Sequence, residues 1–131
     1  MYLPNKKTIN ALLLVALVFT LVDGFVHYSF DILALEGYGG NLGYSEDAIL
    51  VMYVAGKFLG TLIIGYLALL FLSAMRIRNK SLWFTAIIVG ILETRYFLSG
   101  DYSNQWHLLN LALHSTVLYF TSRYFLKSEL N

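Results

Sequence analysis

Four stretches of this 131-residue chain are apolar for long enough to cross a lipid bilayer: about Thr8 to Leu35, Ala48 to Met75, Leu82 to Leu98 and Trp106 to Leu126. A helix rising about 1.5 Å per residue needs about 20 mostly apolar residues to traverse a hydrocarbon core of about 30 Å. Lipid offers the backbone no hydrogen-bond partner, so a segment there must be helical, satisfying its own N–H and C=O groups, or belong to a closed barrel. The sequence therefore predicts an all-α integral membrane protein, a four-transmembrane-helix bundle in which residues 1–131 form a single transmembrane domain.

The connections fit this division. EGYGGNLGYSED (36–47), RIRNKS (76–81) and SGDYSNQ (99–105) are polar turn sequences. Lys6, Lys7, Arg76, Arg78, Lys80, Arg123 and Lys127 all fall on one side of the implied membrane, and Glu36, Glu46, Asp47 and Asp101 on the other. The excess of cations in cytoplasmic loops then places both termini in the cytoplasm. A cleaved signal peptide is the competing reading of Lys6-Lys7 followed by ALLLVALVFTLV. Against it, the apolar pattern runs past Asp23 to Leu35, longer than a signal core of about 7–15 residues.

Composition narrows the chemistry. Charged residues make up 13% of the chain against about 25% in ordinary soluble domains, and the net charge is +1. No basic field exists for nucleic acid. With no cysteine, disulfides, thiolate metal sites and a cysteine nucleophile are excluded.

The informative residues are those that lipid should reject. Asp23, Lys57 and Glu93 come near the midplane of their spans, and His27, Arg95 and His114 lie toward the non-cytoplasmic side. A charge at the bilayer centre costs at least about 2.5–3.5 kcal/mol, so such residues face the bundle interior and mark functional sites by default. Asp23, His27 and Asp31 repeat at i, i+4, i+8 and stack on one helix face; His107, Asn110 and His114 do the same at i, i+3, i+7. Glu93 and Arg95 are two residues apart and point different ways. Glu93 is expected inside with Tyr96 and Phe97, while Arg95 snorkels to headgroups. Lys57 stands beside Gly56 and Gly60, a GxxxG step that lets a neighbouring helix approach; at the midplane it must either lose its proton or have a carboxylate nearby, with Asp23 or Glu93 the expected partner.

One reading of the set is structural, since two acids and two bases sum to zero and can simply pair to fix helix order. The other is an intramembrane polar pocket made from Asp23, His27, Lys57, Glu93, Asn110 and His114. Such a pocket suits proton transfer on a lipid-like substrate, with His27, Asp31 and Glu93 as the catalytic candidates. It also suits a metal held by Asp23, His27 and His114, with copper or zinc as the ion, or a haem ligated by His27 and His114. No cofactor is favoured.

The run Gly24-Phe25-Val26-His27-Tyr28-Ser29-Phe30-Asp31 resembles the first-helix signature of the EXPERA superfamily of emopamil-binding-protein-like four-helix membrane proteins, G-F-x-H-x3-Glu, with Asp31 in the acid position. Val89-Gly90 and Tyr96-Phe97-Leu98 echo its third helix and Asn110 its fourth. The resemblance implies that His27 and Asp31 line a pocket for a sterol or other cationic amphiphile. The chain departs from it at Lys57, where the family carries a glutamate, which puts isomerase activity in doubt. Asp23-x3-His27 is also similar to the Asp-x3-His of the membrane copper monooxygenase C subunit, without that family's second histidine. The expectation is binding, with isomerisation as a further step, of a small apolar or lipid-like ligand. The alternative is an accessory transmembrane subunit of a larger membrane complex, one type being a metal- or haem-containing oxidoreductase.

Overall fold

The computed structural model describes residues 3–30, 46–99 and 105–130, leaving out the side chains at 27, 29, 30, 46, 47, 95, 96, 99 and 105–107. Among the described residues every regular element is helical: α1 (Lys6–Phe30), α2 (Glu46–Ser73), α3 (Lys80–Leu92), α4 (Thr94–Ser99), α5 (Gln105–Phe125) and α6 (Lys127–Leu130). Two helices, over Lys6–Val26 and Ala48–Ser73, are long and apolar enough to cross a membrane.

Local chemistry sets the helix starts. Asn5 opens α1, its Oδ1 accepting from the Thr8 N–H at 2.9 Å and its carbonyl from the Ile9 N–H. Asn79 opens α3 from the left-handed region (φ 52°), which Asn tolerates better than most side chains, and its Oδ1 accepts from the Leu82 N–H.

The four long elements close into a ring, with α1 against α2 and α5, and α3 against α2 and α5. Neighbours run antiparallel. A methyl added at Gly24 would meet Val54, and one at Gly65 would meet Leu12, so α1 and α2 pass in opposite directions. Thr8 at the start of α1 donates to Glu129 Oε1 on α6 at 2.7 Å, while Asp23 further along α1 meets Asn110 in the first half of α5. The start of α1, the end of α2, the start of α3 and the end of α5 thus share one end of the bundle. Lys6, Lys7, Arg76, Arg78, Lys80, Arg123 and Lys127 lie there with them.

Along the bundle axis the interior has two layers. Toward the basic end, Leu12, Val15, Phe19, Leu69, Leu72, Phe84, Ile88 and Leu118 form the apolar core, closed beneath by Leu126 and Leu130 of the final turn. Beyond Phe19 the interior turns polar. Outward faces are the reverse: Leu21, Val51, Met52, Leu59, Ile63, Leu67, Phe71, Leu82 and Phe120 are all more than half exposed. The flanks of the bundle are thus apolar, and the interior is apolar toward the basic end and charged beyond Phe19.

The expected single third helix is two elements. The helix breaks at Glu93 (φ −102°, ψ 19°), leaving a 13-residue α3 and a 6-residue α4. Beside the break the Thr94 hydroxyl donates to the carbonyls of Gly90 at 2.7 Å and Ile91 at 2.8 Å, as the Thr20 and Thr121 hydroxyls do within unbroken helices, so this bond alone does not set the interruption. The first span was expected to run to Leu35, and its last part, with Asp31, lies outside the described residues. The GxxxG step also divides. Gly60 packs closely on Leu92, whereas Gly56 faces open space, and the closest approaches fall at Gly24 and Gly65.

Candidate functional site

Each of the four long helical segments sends a polar side chain to one point. Asp23 arrives from α1, on the same face as Leu12, Val15, Ala16 and Phe19, the three-and-four spacing of a buried stripe. Lys57 and Tyr53 come from α2, one turn apart. Glu93 comes from the break between α3 and α4, and Asn110 and His114 come from α5, again one turn apart. At about 1.5 Å per residue, Lys57 lies about 24 Å from the Ser73 end of α2.

The Lys57 ammonium is the centre. Its Nζ lies 2.7 Å from Oδ2 of Asp23 and 2.8 Å from Oε1 of Glu93, and it donates to the Tyr53 hydroxyl at 3.0 Å. The rings of Phe19 and Tyr53 flank it at 5.5 and 5.3 Å, close enough for cation–π attraction. Asp23 draws its described polar neighbours from two other helices, α2 and α5. Oδ2 accepts from Tyr53 at 2.8 Å in addition to Lys57, and Oδ1 accepts from Asn110 Nδ2 at 2.7 Å and lies 3.0 Å from His114 Nδ1. His114 Nε2 in turn stands 3.7 Å from Glu93 Oε1, and Phe19 packs edge-on against the imidazole.

The cluster is dry. Asp23, Asn110 and His114 are at most 1% exposed, and Lys57 and Glu93 are 8% exposed. Taking charges out of water is costly, and only close geometry with further hydrogen bonds repays it. Among the described residues Asp23 has four polar neighbours, about the number of lone-pair positions a carboxylate offers. The geometry therefore meets the condition under which buried ions are tolerated.

Of the six side chains expected to line a pocket, the structure brings Asp23, Lys57, Glu93, Asn110 and His114 together; the side chain of His27 is outside the described residues, as is all of Asp31. The arrangement is a closed, interlocked cluster. An open groove of about 370 Å³ lies elsewhere, on the outer surface between Asn10, Leu13, Leu14, Leu17 and Phe58, and is almost wholly apolar. Tyr53 escaped the sequence reading. Its signal was present, four residues before Lys57 and hence on the same face, but ten tyrosines in the chain give one of them little weight.

The metal and haem readings meet a specific feature. Among the described residues no group of three His, Asp or Glu side chains could hold a metal ion. Between Asp23, Glu93 and His114 the cation already present is the Lys57 ammonium, and both ring nitrogens of His114 face carboxylates. In comparisons with known proteins, no family model, no curated protein and no solved structure matches this chain.

Proposed function

We propose that this chain is a four-span integral membrane protein, with both termini in the cytoplasm, that binds a small apolar or lipid-like ligand carrying a positive charge at the Asp23–Lys57–Glu93 cluster. The membrane reading is supported by the inverted distribution of side chains, with large apolar residues outside and five ionisable or amide side chains inside. In water that arrangement would be unstable; in lipid it is what transfer energetics select.

One observation carries the ligand reading. The Lys57 ammonium sits in a cage of two carboxylates, a hydroxyl and two aromatic faces, which are the groups that recognise an amine headgroup. Lys57 is the tethered occupant, and a ligand cation replaces it by a rotation of its long side chain. The cationic amphiphile implied by the EXPERA-like run Gly24–Asp31 has the same chemistry. Glu93 and His114, whose polar atoms face each other, are the described acid/base pair through which isomerisation of a bound lipid would proceed.

The test is a thermal melt of purified protein with a hydrophobic alkylamine. At about 100 times its dissociation constant a ligand adds about 2.7 kcal/mol, a resolvable shift. The shift is expected in the wild type and lost in Lys57→Met/Asp23→Asn, which removes the ion pair as a whole and so strands neither partner. A Soret band, or about one copper, zinc or iron per chain lost in both His27→Ala and His114→Ala, would replace this reading with the cofactor one.

A second reading, an accessory subunit of a larger membrane complex, is favoured by the outer face of α2. Val51, Met52, Leu59, Ile63, Leu67 and Phe71 are more than half exposed there, and Gly56 has nothing within 4 Å of an added methyl. Co-purification of a transmembrane partner that Gly56→Leu releases would support it.

A further inference from the structure

The outer face of α1 carries a polar and an apolar stretch in line. Lys6, Lys7 and Asn10 are exposed in its first turns, and Leu13, Leu14 and Leu17 follow at the three-and-four spacing that keeps to one face. These leucines, with Asn10 and with Phe58 of α2, line the surface groove of about 370 Å³. By the register of the Gly24–Val54 and Gly65–Leu12 contacts, Phe58 lies level with Phe19 and Thr20 and closes the groove at its inner end.

The groove has the depth of one leaflet. From Lys7 to Leu17 the helix rises about 15 Å, half of a hydrocarbon core of about 30 Å. An acyl chain lying in it therefore starts beside the lysines and ends near the midplane. Asn10 is exposed one turn inside Lys6 and Lys7, and its amide makes no hydrogen bond among the described residues. An amide turned to lipid without a partner is costly, and at this depth the glycerol ester carbonyls of a phospholipid supply one.

Charge on this face has one sign. Neither Lys6 nor Lys7 forms an ion pair among the described residues. The described acid at the basic end, Glu129, accepts from Thr8, which is buried on the bundle side of α1. The start of α1 adds the partial positive charge of its helix dipole.

We propose that this groove seats one acyl chain of an anionic phospholipid from the leaflet at the basic end, its phosphate on Lys6 and Lys7 and its ester carbonyl on Asn10. Basic sites between membrane helices at the cytoplasmic face hold such headgroups. The site rests on the membrane reading above and is independent of a ligand at Asp23, Lys57 and Glu93, which lie on the other side of α1.

The experiment is native mass spectrometry of the full chain released from detergent micelles, titrated with phosphatidylglycerol or phosphatidylcholine of the same acyl chains. Phosphatidylglycerol is expected to fill one saturable site and to bind more tightly than phosphatidylcholine. Each lysine near an anionic headgroup is worth about fivefold in affinity, so Lys6→Gln/Lys7→Gln is expected to lose about 25-fold for phosphatidylglycerol and to leave phosphatidylcholine unchanged. Leu14→Trp, which fills the groove from an exposed position, is expected to weaken both lipids. Arg78→Gln/Lys80→Gln removes the same charge at the start of α3, across the ring from α1, and is expected to change neither. Equal binding of the two lipids, an equal loss in both double variants, or a dimer that Leu14→Trp dissolves overturns the proposal. Soluble glycerol phosphate competing as well as the whole lipid also overturns it, since a headgroup alone needs no groove. A chain that stays monodisperse in buffer without detergent or lipid removes the membrane reading as well.

Discussion

Lys57 on α2 and Asp23 on α1 form a 2.7 Å ion pair whose side chains are 6% and 0% exposed, and Glu93 takes the other side of the same ammonium. Removing one partner of a buried pair costs about 3–5 kcal/mol, because the remaining charge is stranded. Lys57→Met is therefore expected to lose most folded protein, measured as monodisperse yield and melting temperature in detergent. Lys57→Met/Glu93→Gln is expected to recover more than Lys57→Met/Asp23→Asn, since Asp23 keeps Tyr53, Asn110 and His114 as neighbours. Wild-type stability of the single variant would remove Lys57 from the interior.

Tyr53 links the pair, donating to Asp23 and accepting from Lys57. Tyr53→Phe keeps the ring and deletes both hydrogen bonds. A loss of about 1.5–3 kcal/mol in denaturant unfolding is expected, the range for a hydrogen bond to a charged group; an unchanged midpoint would mean that the hydroxyl contributes nothing.

Helix contacts make opposite demands of two glycines. An added methyl at Gly24 falls 2.6 Å from Val54 Cγ2, a branched side chain with little rotamer freedom in a helix, whereas Gly56 has open space. Gly24→Ala is expected to destabilise by about 1–3 kcal/mol, and Gly56→Ala to be neutral or to gain up to about 1 kcal/mol from helix propensity. Melting temperatures in the reverse order would contradict the α1–α2 packing.

Orientation is open to labelling because the chain has no cysteine. Single cysteines at Ser45, ahead of α2, and at Ser128, exposed on α6, are expected to react with an impermeant maleimide from outside and only after lysis, respectively. External labelling of Ser128→Cys would reverse the topology.

The sequence was most readable where a residue type was improbable. Asp23, Lys57 and Glu93 stood out against apolar surroundings, and period alone put Asn110 and His114 on one face. Their meeting could be expected, with Lys57 paired to Asp23 or Glu93; that it bridges both depends on how far each helix turns and where the third one breaks. That break was not legible, since Glu93 and Thr94 read as two more helical residues in a continuous apolar run. The glycine contacts were hidden for a similar reason. A GxxxG spacing is local, whereas whether a methyl fits at Gly24 or Gly56 depends on the neighbouring helix.

The antiparallel ring also sets the sequence distances over which the charges find their partners. Lys57 follows Asp23 by 34 residues and Glu93 follows Lys57 by 36, so each of these ion pairs forms only once two successive helical segments lie side by side. Asn110 and His114 join them only with α5. A fragment cut between two of these segments therefore loses a pairing that the whole bundle provides, and the connections, which carry none of the cluster's described side chains, decide whether it can be assembled.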